Sequence, residues 1–383
     1  MTRPALVFTR QEFAGAFGDL GTDLPLLVGV VLATGMDPAT AFVLFGVLQV
    51  LSGAVYRLPM PVQPLKAMAA IAIAGKIAPT LLAAGGLIVG ITMLLLAVTG
   101  ALDWMARTVP KPVVRGIQLG LGIQLATLAT TRFLGADGPE GLVLAAVALG
   151  IVVTLRTNRH VPAALVVLAL GVTYAAWRWP IDLPAPWGWH APAFTVAWPS
   201  RHEFAEAALL LALPQIALSL GNSVLATRQV VQDLFPDRPP LSVARIGTTY
   251  GVMNLLVAPF TGLPVCHGSG GVAGHHAFGA RTGGSVIIYG AALIAAGLTL
   301  TGDPAAFQRL VPGPILGTLL LVEAVAVGLL LRDLRHHPRA LVLAVVCGMT
   351  AAWVPYGYAV ALVTGTIGWS LLRRVRSPGY LSS

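Results

Sequence analysis

The sequence predicts an all-α polytopic membrane protein, and three observations carry that prediction. Apolar residues make up 56% of the 383 positions and charged ones 10%, with a mean hydropathy of +0.81. A water-exposed surface needs far more charge than this. The apolar residues gather into runs of roughly 20, the length of a helix that crosses a hydrocarbon core. Lysine and arginine stand mainly at alternate ends of these runs, as the positive-inside rule demands.

Proline, glycine and charge divide the chain into about fourteen segments. Segment 1 covers 12–34 and stops before Gly35 and Asp37-Pro38; segment 2 covers 39–57 and stops at Arg57-Leu58-Pro59. Segment 3 (62–76) ends at Lys76, and segment 4 (81–103) runs from beyond Pro79 to Asp103. Segment 5 (110–130) starts at Pro110, segment 6 (140–156) lies between Glu140 and Arg156, and segment 7 (161–177) precedes Arg178. Segment 8 (203–227) ends before Arg228, segment 9 (242–259) at Pro259, and segment 10 (267–279) at Gly279. Segment 11 (283–301) opens on Gly283-Gly284 and segment 12 (311–331) on Val311-Pro312. Segment 13 (340–354) follows Pro338-Arg339, and segment 14 (356–372) ends before Arg373-Arg374. Segments 3 and 10 are too short to span as helices.

With the N-terminus inside, eighteen lysines and arginines fall at inner ends. Five fall at outer ends (Lys76, Arg132, Arg178, Arg201 and Arg309), and Lys66 stands within a segment. This asymmetry predicts that both termini are cytoplasmic, and the cytoplasmic (inner) membrane is the expected location. The net charge of +9 is thereby a topology signal; the lipid bilayer is the expected partner and nucleic acid is not. The N-terminus has two early arginines but no compact apolar stretch ending in a cleavage site, so no signal peptide is expected to be removed. Cys266 and Cys347 lie in different segments and suggest no disulfide framework. The stretch 177–198 holds Trp177, Trp179, Trp187, Trp189 and Trp198 among prolines and reads as an external loop on the membrane surface.

The chain also repeats itself. "RLPMPVQPLKAMAA" (57–70) aligns with "GLPVCHGSGGVAG" (262–274), Leu58-Pro59 on Leu263-Pro264, at an offset of 205. "TVPKPVVRGIQLGLG" (108–122) aligns with "LVPGPILGTLLLVEA" (310–324) at an offset of 202, and "FGDLGTDLPLL" (17–27) pairs more loosely with "SLGNSVLAT" (219–227). Three matches in order give two halves of seven segments, 1–200 and 201–383. Seven is odd, so the second half enters from the opposite side, as a 7+7 inverted repeat. Inverted repeats with short, Gly/Pro-interrupted segments in matching positions are a signature of secondary transporters. Segments 3 and 10 then read as half-helices with short extended lead-ins, tolerated at membrane depth where they are buried or line a watery cavity.

A helix start leaves amides unpaired and carries partial positive charge, so two facing starts form an anion site. Gly268, Gly270 and Gly271 let backbone approach a ligand, and Ser269 and His267 can donate hydrogen bonds. From the other side Gln63 supplies an amide and Lys66 a full charge. A lysine at this depth needs a ligand or a partner: it binds the anion, snorkels, or pairs permanently with Asp19 or Asp23. Asp19 and Asp23 share a helix face. They are either neutralised by Lys66 or take up protons as the anion binds. Glu323 is another proton carrier, or a protonated interhelical hydrogen-bond donor. Gln215, Ser219, Asn222 and Ser223 in segment 8 suit oxyanion contact or helix packing equally.

The glycines of "GSGGVAG" sit in no βαβ unit and make no dinucleotide loop. Cys266, His267, His275 and His276 match no familiar zinc spacing, so neither a metal nor a cofactor is expected. His275 and His276 are expected at the cytoplasmic exit of half-helix ten. An integral membrane enzyme would need a catalytic constellation that is not visible, so no enzymatic activity is expected.

"GAFGDLGTDLPLL", "PMPVQPLKAMAAIA" and "PVCHGSGGVAGHHAFGARTGG" resemble the signature blocks of the molybdate transporter family, a distant branch of the sulfate permease superfamily. The resemblance covers nearly the whole chain. It implies a core domain of segments 1–4 and 8–11 moving against a gate domain of segments 5–7 and 12–14. It places Asp19 and Thr22, Gln63 and Lys66, and His267, Gly268, Ser269 and Gly270 at the substrate. It also implies that a homodimer is common among relatives. No C-terminal STAS domain is expected after Arg376, which favours the molybdate branch. The reading is a secondary transporter importing molybdate with protons (a symporter) by elevator-type alternating access. A sulfate or general oxyanion carrier is the nearest alternative, with a nucleobase permease and an anion channel beyond it. Size and basicity alone separate molybdate from sulfate, and the residues do not choose between them.

Overall fold

The computed structural model describes residues 5–155, 158, 161–179, 189–299 and 311–374. The side chains of 105–107, Asn222 and 373–374 lie outside that description, as do the segment 180–188 with Trp187 and the position of Arg309. The chain is mostly helical. Each apolar run falls on a helix or on a strand followed by a short helix.

Segment 1 is two helices, α1 (Arg10–Ala16) and α2 (Leu20–Thr34), bent by 44° at Phe17–Asp19. α3 (Pro38–Tyr56) is capped by the Asp37 carboxylate, which accepts from the Thr40 amide at 2.8 Å. β1 (Val62–Pro64) leads into α4 (Lys66–Gly75), and α5 (Pro79–Val98) follows. α6 (Ala101–Thr108) starts after Gly100, whose φ of 73° ends α5 and splits the predicted 81–103 run. α7 (Lys111–Leu128) runs on through wide turns to Phe133, and α8 (Gly138–Leu155) and α9 (Ala163–Arg178) complete the first half. α10 (Arg201–Leu234) starts with a capping box at Ser200 and Glu203. It widens into π-turns at Ala208–Ala212, just before Pro214, which has no amide proton to give. Then come α11 (Val243–Val257), β2 (Val265–His267), α12 (Ser269–Ala277) and α13 (Gly284–Thr299). α14 (Gly313–Leu329, with a 3₁₀ turn to Leu334), α15 (Pro338–Trp353) and α16 (Gly357–Arg374) end the chain.

Six of these helices are long and apolar enough to cross a membrane, and the bent α1–α2 pair makes a seventh span. α4, α9, α13, α15 and most of α16 are apolar but shorter. Apolar side chains also cover the outside, among them Leu142, Val143 and Val153 of α8, Val342 and Val346 of α15, and Val363 and Ile367 of α16. So broad an apolar exterior suits lipid rather than water.

Glycines set the closest helix pairs. A methyl added at Gly46 of α3 would stand 2.6 Å from the carbonyl of Gly290 in α13, and one at Gly290 would stand 2.5 Å from that of Gly46. On α5 and α11 the same relation joins Gly90 and Gly251, at 3.1 and 2.7 Å. Small residues that let backbones touch are how helices associate without a hydrophobic driving force.

Candidate functional site

β1 and β2 cross antiparallel, with Val62 opposite His267, Gln63 opposite Cys266 and Pro64 opposite Val265. All six residues are buried, so their amides and carbonyls need partners inside the protein. Two side-chain amides supply them at the outer edges. Gln49 of α3 accepts from the Val62 amide at 2.8 Å and donates to the Val62 carbonyl at 2.7 Å. Asn254 of α11 does the same for Val265, at 2.9 and 2.7 Å. Gln49 and Asn254 stand 205 positions apart, as do Gly46 and Gly251, and Leu58 and Leu263. Sequence reading missed both amides; extending the repeat upstream of Leu58 would have found them.

The two short helices that follow the strands start in different states. At α4, the Gln215 side chain accepts from the amides of Ala67 (3.1 Å) and Met68 (3.3 Å) and donates to Ser219, whose hydroxyl meets that of Tyr250. Gln215 therefore caps α4 from inside the protein with its carbonyl oxygen, while one of its amide protons goes to Ser219. At α12 the N-cap is Gly268 and, among the described residues, no side chain caps the helix. Ser269 is half-buried, Gly270 is exposed, and a methyl at Gly270 would meet open space. The helix start that remains open to an anion is that of α12.

The α1–α2 break brings Asp19 to this place. Gly18 and Gly274 meet backbone to backbone, which seats the break against α12. The Asp19 carboxylate accepts from Gln63 Nε2 at 2.7–2.8 Å, and a side chain at Gly271 would overlap its Oδ2. Among the described residues Gln63 Oε1 has no hydrogen-bond partner, and a Cβ at Gly268 would collide with it. Glycine at 268 and 271 is thus required by contact with Gln63 and Asp19.

Lys66, the first residue of α4, is 6% exposed and pairs with Glu323 of α14. The sequence offers Asp19 or Asp23 as its ion-pair partner; the structure gives Glu323 instead, because α14 packs directly against α2 and α4 opens beside it. Glu323 also accepts from the Thr22 hydroxyl at 3.0 Å. Asp23 is fully buried, and the Tyr289 hydroxyl faces its carboxylate. Thr22 and Glu323 line a cavity of about 280 Å³ with Gly18, Leu155 and Phe278.

The structure therefore gathers Asp19, Thr22, Asp23, Gln63, Lys66, Gly268, Gly271 and Glu323 around the strand crossing, with Ser269 and Gly270 at the open helix start. His267 is turned elsewhere. Its Nε2 meets Thr249 Oγ1 at 2.9 Å, its Nδ1 faces the Pro61 carbonyl at 3.3 Å, and its ring stacks edge-on to Tyr56. Both nitrogens are engaged, so the ring braces β2. The Asn222 side chain lies outside the described residues. His276 stands in the last turn of α12, and His275 is buried there against Ser285 at 3.0 Å. Among the described residues no group of three His, Cys, Asp or Glu could hold a metal.

A family profile described as "Molybdate transporter of MFS superfamily" matches residues 11–125 and 207–327, more than half of the chain. Molybdate transporter 2 of Arabidopsis thaliana is 31% identical over 92% of this chain and 86% of its own. The chain belongs to the molybdate transporter family. Two further members are similar to it: molybdate transporter 1 of Arabidopsis thaliana, 31% identical over 88% of this chain and 84% of that protein, and molybdate transporter 1 of Chlamydomonas reinhardtii, 28% identical over 93% and 87%. Members of the family are transporters and not enzymes. In fold, this molybdate transporter family member resembles the transmembrane domain of the cyanobacterial bicarbonate transporter BicA, with a TM-score of 0.69 at 17% identity over 92% of this chain and 97% of that one. It also resembles the murine anion transporter Slc26a9, with a TM-score of 0.71 at 12% identity over 97% and 70%. The backbone thus shares its fold with these two proteins.

Proposed function

We propose that this chain imports molybdate into the cytoplasm, coupled to protons, by elevator-type alternating access. The observation that carries the reading is Lys66: one buried ammonium at the start of a half-helix, held by a carboxylate from the other side of the site. A tetrahedral dianion can take the place of Glu323 on Lys66 and Thr22. It can also accept from Ser269 and the uncapped amides of α12. Asp19, Asp23 and Glu323 bring three carboxyl groups against one lysine, so a dianion arriving while all three are ionised would meet net negative charge. Proton uptake with the anion removes that conflict. A proton on Glu323 would also free Lys66.

The fourteen-segment inverted repeat has support in the packing. Exchanging segment n with segment n+7 turns the α3–α13 contact into the α5–α11 contact, and each is built on a reciprocal glycine pair. It carries Gln49 into Asn254 and returns the β1–β2 crossing to itself. Lys66 then belongs to the core domain and Glu323 to the gate domain, and their ion pair fastens one to the other. Replacing Glu323 by substrate undoes that fastening, which would let the core move. The placement of both termini in the cytoplasm rests on the arginine and lysine asymmetry.

Reconstituted Lys66→Ala protein tests the site. Saturable molybdate uptake by the parent chain and none by the variant, with both equally inserted, is the expected result. Normal uptake by the variant removes Lys66 from the site, and uptake by the parent that excess sulfate abolishes makes the protein a general oxyanion carrier.

A further inference from the structure

A second cavity, of about 590 Å³, lies between the start of α7, the 3₁₀ turn that ends α14, the start of α15 and the last turns of α16. None of its residues belongs to the strand-crossing site. Its lining is divided by chemistry: Lys111, His336, His337 and Arg339 on the one hand, Trp369 and Leu372 on the other. Among the described residues no carboxylate lines it. Asp333, in the adjoining 3₁₀ turn, is taken up by Arg115 and by Lys111 at 3.3 Å. The turn 332–339 reads Arg-Asp-Leu-Arg-His-His-Pro-Arg, and Arg335 Nε donates to His336 Nε2 at 2.8 Å, which holds that ring at the cavity. Two helices, α7 and α15, begin here and, among the described residues, without a side-chain cap, adding the positive ends of their dipoles.

We infer that this cavity binds the phosphate of an anionic phospholipid headgroup. Lys111 and Arg339 supply charge, the histidines supply donors, and the uncapped helix starts favour an anion between them. The apolar half decides between a lipid and a free phosphate. Trp369 and Leu372 would be idle against a soluble ion, whereas they give an acyl chain an apolar surface to lie on. Basic pockets between transmembrane helices are the usual place for such headgroups. The ligand would tie α7, α14, α15 and α16 together.

Native mass spectrometry of the full chain in detergent tests this with dioleoyl phosphatidylglycerol and dioleoyl phosphatidylcholine as probes. Phosphatidylglycerol should be retained in preference, and a Lys111→Gln/Arg339→Gln variant should lose that preference by about tenfold or more. Arg115 keeps Asp333 paired in the variant, and unchanged molybdate uptake shows that it is folded. Equal retention of the two lipids, or full retention by the variant, overturns the inference. Titration of inorganic phosphate into nanodiscs of phosphatidylcholine alone is the second arm. Binding that the variant loses would keep the phosphate site but overturn the lipid as its ligand; no binding agrees with a lipid.

Discussion

Glu323→Gln separates the two jobs assigned to one carboxylate. In the parent chain Glu323 holds Lys66 and Thr22, with 7% of the Lys66 side chain and 11% of the Glu323 side chain exposed. Removing one member of a buried pair costs about 3–5 kcal/mol because the other charge is left uncompensated, so the ligand-free variant should melt earlier. Molybdate supplies the missing negative charge and should restore the melting temperature. Binding itself should tighten. A hydrogen bond between charged groups contributes about 1.5–3 kcal/mol, and a substrate that no longer displaces it gains about ten- to a hundredfold in affinity. The sign with pH follows from the same competition. A proton on Glu323 releases Lys66, so molybdate binding by the parent strengthens as pH falls, while the glutamine variant has lost this dependence. Calorimetric titration of molybdate at several pH values reads both effects. Weaker binding by Glu323→Gln, with the pH dependence intact, would refute the competition between Glu323 and substrate.

Other substitutions probe the scaffold. Gly268→Ala places a methyl on the Gln63 amide and should cost about 1–3 kcal/mol together with uptake; Gly270→Ala, which meets open space, should be nearly silent in thermal melts. Gln49→Leu and Asn254→Leu each strip a buried strand residue of an amide and a carbonyl partner, at about 1–3 kcal/mol per unsatisfied group. If the two strands are equivalent by the repeat, the two losses in melting temperature should match closely. His267→Gln, which can keep one contact to Thr249, should lower stability while leaving the molybdate affinity within a few-fold of the parent; a large loss of affinity would return His267 to the substrate.

Much of this architecture was legible because the membrane leaves few options for a polar backbone. Every apolar run became a helix or a strand with a short helix, and the two runs too short to span became the strand-crossed pair. The break at Phe17–Asp19 was not legible, since a bent segment has the same hydropathy as a straight one. It depends on Gly18 meeting Gly274, a contact made across most of the chain. The same limit hid the partner of Lys66. Asp19 and Asp23 are closer in sequence, yet Glu323, 257 positions away, reaches the ammonium because α14 packs on α2. Gln215 looked like a ligand because a buried amide in a polar stripe reads alike whether it faces a cavity or caps a neighbouring helix. His267 misled in the same way. Gln49 and Asn254 were within reach, for their offset is the one that joined Leu58 to Leu263.

The most direct test of proton-coupled molybdate import is elemental analysis of molybdenum inside proteoliposomes, with an inward proton gradient imposed or collapsed by an ionophore, and with sulfate in excess outside. Accumulation above the external concentration that survives sulfate and vanishes with the ionophore is the predicted result. Equilibration to the external concentration that ignores the gradient would contradict it and favour a passive anion pathway.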